Sequence, residues 1–230
     1  MWTANSNLQL AWVLHRRAYQ DTGLILELLT SQYGRVGVVA RGGRKNPLLQ
    51  PFQPLLVQLH GRGDLLSLRH YEAAAGAVAL TGTALYCGIY LNELLLRLLH
   101  RHDKQPALLT PYANALEALA EKEQPPDVIL REFELLLLAQ LGYAVDCSHD
   151  AQGQALQTAQ RYAWYAEIGW QPAQQGWLGE DILALGQRQW SASTRRAARD
   201  MLRAILASHI GDKPLQSRQL FLAQSSGKKV

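Results

Sequence analysis

Apolar and polar residues alternate in short bursts along the first 75 positions. LQLAWVL (8–14) alternates, RVGVVARGG (35–43) is valine-rich and closes on glycine, and GLILELLT (23–30) is a continuous apolar run. PFQPLLVQLHG (51–61) and GDLLSLRHYE (63–72) flank the turn Gly61-Arg62-Gly63. Five short segments with Gly, Asp and Asn between them at fairly even spacing predict a small closed barrel. An OB-type barrel over residues 1–76 suits so short a span, because closure abolishes the sheet edges. The 23–30 run has no alternation and is compatible with a buried strand or a helical turn. Pro51 and Pro54, which cannot donate to a ladder, belong at the start of the fourth strand or on an edge.

Past residue 80 the period changes and predicts a mostly α-helical domain over 77–230. Residues 83–101 carry apolar side chains on nearly every face, the pattern of a central buried helix. Glu93 and Arg97 within it are spaced to pair. Pro111 suits the first turn of a helix over 111–122. After Pro125-Pro126, Asp127 is the expected N-cap of a helix over 128–141 that Gly142 ends. Residues 144–192 read as an irregular insertion, with RYAWYAEIGWQP a short hairpin turning near Gly169. Helical spacing returns over 194–209, and 215–223 has room for a last short helix. The expected fold class is therefore α+β: a five-stranded OB-type barrel, then helices with a small irregular or hairpin insertion.

Charge sharpens the picture. Residues 1–72 hold eight bases against four acids, residues 73–187 six against thirteen, and residues 188–230 nine against two. Two basic ends bracketing an acidic middle favour a polyanionic partner at the ends, since each neutralised phosphate releases condensed counterions. The N-terminal MWTANSNLQLAWVLHRR lacks the pattern of a signal peptide, and LNELLLRLL is too polar for a membrane span. With Cys87 and Cys147 the two cysteines, a reducing, cytoplasmic location is expected.

Catalytic motifs are missing. ARGGRKNP lacks the spacing of a phosphate loop and its magnesium-binding Ser/Thr, and no GxSxG or HExxH occurs. Cys147-Ser148-His149 with Asp146 and Asp150 offers half of a zinc site, and a tetrahedron needs a second ligand pair. No metal, no cofactor and no enzymatic activity are expected. The strongest local signal is Arg41-Gly42-Gly43-Arg44-Lys45-Asn46, where glycines permit close approach and three bases offer phosphate contacts. Trp12, Tyr19, Tyr33 and Phe52 serve either as core or as platforms for stacked bases.

Five segments in order resemble the bacterial RecO family of DNA-repair proteins. They are AWVLHRRAYQDTGLILELLTSQYGRVGVVARGGRK, LQPFQPLLVQLHGRGDLLSLRHYE, TALYCGIYLNELLLRLL, LREFELLLLAQLGYAVD and KPLQSRQLF. The resemblance implies an N-terminal OB domain and a helical C-terminal domain. It implies binding of single- and double-stranded DNA, annealing of complementary strands, and association with the single-stranded DNA-binding protein SSB and with RecR. Through these it implies help in loading RecA during repair, without ATP. Many members carry two cysteine pairs after Leu-Gly-Tyr; here only Cys147 follows Tyr143, so the zinc-free branch fits and 144–192 corresponds to that region. The alternative is an adaptor whose barrel binds protein, with DNA contact incidental.

On this reading the phosphate contacts are Arg16, Arg17, Arg35, Arg41, Arg44 and Lys45 in the barrel. Arg195, Arg196, Arg199 and Arg203 form a second patch, since 195, 199 and 203 share a helix face, as a solvated helix would equally show. For the acidic, carboxylate-ended tail of SSB, Arg131 is the expected cation, with Phe133 and Leu137 as the apolar groove. The competing reading makes Phe133 and Leu137 core, with Arg131 paired to Glu134 or Glu132.

Overall fold

The first strand, β1 (Gln9–Tyr19), runs antiparallel to β2 (Gly23–Thr30), which runs antiparallel to β3 (Gly34–Ala40). β4 (Pro54–His60) and β5 (Leu65–Ala73) form the next hairpin. β1 pairs β4, β3 pairs β5 in parallel, and the sheet closes in the order β1-β2-β3-β5-β4. The computed structural model describes residues 8–211 and 213–226. Period-two alternation sends Ala11, Val13, Leu26, Val38, Val57 and Leu66 into the barrel interior. The 23–30 run is a strand, and its lack of alternation has a cause: both of its faces are covered, so seven of its eight residues are buried.

The chain clusters into two compact units, one made of residues up to Glu121 with those from Leu215 on, the other of Lys122–Pro214. In the first, the barrel packs on α1 (Thr83–Leu98), with α2 (Leu109–Glu121) and the late helix α6 (Ser217–Ser226) against α1. Gly88 is the close-approach point: a Cβ there would lie 2.5 Å from Leu80 Cδ1 and 2.9 Å from Phe52 Cε1. The Glu93 carboxylate accepts from the Gln216 and Ser217 amides, both at 2.8 Å, and so caps the start of α6.

In the second unit, α3 (Pro126–Gln140) ends at Gly142 (φ 84°), and the Tyr143 amide donates to Leu138 O at 2.8 Å. Asp127 does not cap this helix: Pro126 takes the first position and Asp127 lies in the first turn. The hairpin expected near Gly169 is present, and the rest of the segment expected to be irregular is ordered around it. β6 (Arg161–Tyr165) pairs β7 (Gly169–Pro172) as a hairpin, and β6 also pairs β8 (Trp177–Leu178). α4 (Gly179–Gly186) and α5 (Ala192–Ile210) follow. Three indoles hold this sheet, Trp164 to Trp170 at 5.0 Å and Trp170 to Trp177 at 5.8 Å between ring centroids. Such aromatic contacts substitute for the aliphatic periodicity that would have announced the sheet. Among the described residues no helix is long and apolar enough to cross a membrane.

Candidate nucleic-acid interface

Beyond Leu14, β1 leaves the barrel core and its last five residues, His15–Tyr19, are all exposed. β2 and β3 pair Leu24 with Ala40, so the chain leaving β3 at Arg41 emerges beside the β1–β2 turn. There the Arg44 amide donates to Thr22 O at 3.0 Å and its guanidinium to Asp21 O at 2.9 Å. Gly42 (φ 68°) makes the bend that a side chain would resist, and Gly43–Lys45 form one 3-10 turn. The Arg16 guanidinium donates to Leu49 O at 3.1 Å across the mouth of the barrel. Arg16, Arg17, Arg41, Arg44 and Lys45 are therefore exposed at one end of the barrel. Arg16 and Arg44 each give one bond to the backbone, which fixes the head group while leaving other guanidinium donors outward.

Arg69, which no local pattern marks, also lies at this end of the barrel. The parallel register Val39–Ser67 carries β5 past the end of β3, and Arg69 is exposed there. The Tyr71 hydroxyl next to it accepts from Asn46 Nδ2 at 2.8 Å. Only pairing across 28 positions of sequence brings Arg69 beside the Arg41 loop. Of the four aromatics, Trp12 and Phe52 are buried, while Tyr19 and Tyr33 are 38% and 40% exposed. Tyr19 stands at the basic end and Tyr33 in the opposite turn, between β2 and β3.

Arg35 is a correction. Its Nε donates to Glu27 at 3.1 Å, and its guanidinium also bonds Leu96 O and, at 2.8 Å, Leu99 O, the last carbonyls of α1. A cation at a helix C-terminus satisfies orphan carbonyls and the dipole together. Arg101 shares Glu27, so Arg35 holds α1 to the barrel rather than facing a phosphate.

The late patch is corrected in membership. Arg195 is bidentate to Asp127, Nε at 2.7 Å and Nη2 at 2.6 Å. The exposed stripe of α5 is Arg196, Arg199 and Arg203, with Arg199 bonded to its neighbour Asp200 at 3.0 Å. The hydrogen bond from Arg195 holds the Asp127 carboxyl below the usual carboxylate range, against the opposing effect of partial burial. A carboxyl depressed on folding contributes stability at neutral pH that is lost as pH falls through its folded value. Following Asp127 by NMR, Arg195→Ala should raise its titration toward that of an ordinary aspartate and reduce the acid sensitivity of the second unit.

The expected tail receptor is also corrected. Phe133 and Leu137 are core, and Arg131 is 7% exposed. Its guanidinium is bonded to Glu134, itself fully enclosed. An incoming carboxylate would have to displace an internal partner, so no open cation stands here at the rim of an apolar groove.

Cys147 lies under Gly186, whose added Cβ would meet Cys147 Cβ at 2.6 Å. Burial raises its thiol to about 11. Asp146 is engaged in a turn, accepting from the Ser148 and His149 amides at 2.7 and 3.1 Å. The Ser148 bond leads in lowering its carboxyl. Among the described residues no three His, Cys, Asp or Glu side chains gather as a metal ion would require.

Topology and charge define the class: an OB-fold protein with a basic barrel end, continued by helices. Residues 7–77 match the family model for the N-terminal domain of recombination protein O, and residues 79–176 match that for its C-terminal domain. The DNA repair protein RecO of Methylococcus capsulatus is 43% identical over 225 residues, covering 94% of this chain and 93% of that protein. That of Yersinia enterocolitica is 42% identical over 224 residues, covering 93% of each. The chain belongs to the RecO family, and its role lies in DNA repair and recombination.

Proposed function

We propose that this chain is an ATP-independent recombination mediator. It binds single- and double-stranded DNA on the basic end of the barrel and anneals complementary strands. It acts with SSB and RecR to help load RecA. The division of labour is a DNA-binding domain over 1–76 and a helical domain over 77–230 that offers a second contact through Arg196, Arg199 and Arg203. The observation that carries this reading is the convergence of Arg16, Arg17, Arg41, Arg44 and Lys45 at one barrel end. Five cations on a fixed backbone neutralise phosphates without selecting bases, which suits a protein that must accept any sequence. Pairing two strands requires their mutual repulsion to be reduced, and a cationic surface does this without chemistry.

Salt dependence is the test. Changing Arg41, Arg44 and Lys45 together to alanine should weaken binding equally for oligonucleotides of different sequence. It should also flatten the slope of log affinity against log salt by about 3 units, one for each lost contact. An unaltered slope would remove the loop from the interface and favour a barrel that binds protein instead.

A further inference from the structure

Leu14 is a β-bulge. Val13 pairs Leu28 and His15 pairs the next residue, Glu27, so Leu14 has no cross-strand partner. Its carbonyl accepts instead from Asn92 Nδ2 of α1 at 3.0 Å, and Asn92 Oδ1 accepts from the Tyr112 hydroxyl of α2 at 2.6 Å. Both side chains are buried, and Trp12 meets the Tyr112 ring edge-on at 5.4 Å.

The extra residue inverts the faces of the strand beyond it. Directly opposed residues share a face, and Leu24, Leu26 and Leu28 point into the barrel. Before the bulge Ala11 and Val13 are inward, so an unbroken strand would turn 15, 17 and 19 inward as well. With it, Arg16 opposes Leu26 and Ala18 opposes Leu24, while His15, Arg17 and Tyr19 take the outer face with Glu27 and Ile25. On this register the Arg16 guanidinium donates to Leu49 O at the barrel mouth.

We infer that Asn92 is a positioning residue for nucleic-acid binding: by holding the Leu14 bulge it sets Arg16 beside the 41–45 loop and directs Arg17 and Tyr19 outward. This rests on the barrel end being the DNA interface. Asn92 touches no DNA. It acts by giving a bulged carbonyl, buried at the strand's exit from the core, the donor that the ladder does not supply.

The test uses the full chain and an oligo-dT probe. In the native background Arg16→Ala should weaken binding about fivefold, the effect of one charge-assisted contact. In an Asn92→Leu background the same change should have little effect, whereas Arg203→Ala should keep its effect in both. Cross-strand NOEs linking Arg16 to Leu26 and Ala18 to Leu24 should be lost in Asn92→Leu, a signature that mere destabilisation does not give. Where the leucine variant does not fold, Asn92→Ser, too short to reach the carbonyl, gives the same readout. An equal Arg16 effect in both backgrounds with the NOEs intact overturns the role of Asn92. No Arg16 effect in the native protein removes the interface reading itself, and the inference with it.

Discussion

Arg131→Ala is expected to destabilise the second unit by about 3–5 kcal/mol, the range for breaking a buried ion pair from one side. Arg131 and Glu134 lie one turn apart on α3, both enclosed and bonded to each other. Removing the guanidinium takes away the cation bonded to a desolvated carboxylate, and the cavity adds to the loss. Chemical denaturation should show a lower midpoint, with any loss of partner binding following the loss of fold. The double variant Arg131→Met with Glu134→Leu fills the same space without charge and should recover most of that stability. If Arg131→Ala is as stable as the native chain and loses only binding to an acidic tail, the enclosed-pair assignment is wrong and Arg131 is an open receptor.

Gly34→Ala is expected to cost about 3–4 kcal/mol, from a left-handed residue gaining a side chain and from contacts displaced around it. Gly34 (φ 66°) follows the β2–β3 turn, where Thr30 Oγ1 donates to Gly34 O at 3.0 Å. An alanine Cβ would lie 1.7 Å from Asp103 O, and two backbones have no flexible side-chain end to give way. The 101–103 segment would have to move, breaking the His102 amide bond to Arg35 O at 2.8 Å and disturbing the Arg35–Glu27–Arg101 cluster. A denaturation midpoint equal to that of the native chain would show that the segment is not seated on β3. Gly42, beyond the other end of β3, is a useful contrast. It also has positive φ but nothing within 4 Å of an added Cβ, so its alanine variant should show only the smaller backbone penalty of about 1 kcal/mol.

Most strands and helices outside 144–192 were legible along the chain because local spacing determines them, while GLILELLT fitted a buried strand or a helical turn until the barrel covered both its faces. GLILELLT and RVGVVA became β2 and β3, the turn glycines 61 and 63 separate β4 from β5, and Gly142 ends α3 by the local rule that a left-handed cap needs glycine. The loop Arg41–Lys45 announced itself by composition alone. Of the 144–192 segment only the hairpin turning near Gly169 was legible; β8 and α4 were not, since three indoles and short elements bury surface without a readable period. What local spacing left open was the fate of each cation. Arg35 and Arg195 looked like their neighbours until folding supplied Glu27 and the α1 carbonyls to one, and Asp127, 68 positions away, to the other. Arg69 joined the basic end only through the parallel pairing of β3 with β5. Which face Arg16 takes depends on one unpaired residue and on Asn92, 78 positions from it. The sequence by itself determined most of the elements outside 144–192, their order and the excess of positive charge at the ends, because these rest on neighbours within a turn or a strand. Only the tertiary structure decided which charges are neutralised inside and which stand free, because a guanidinium bonds to whatever acceptor the distant chain brings within 3 Å.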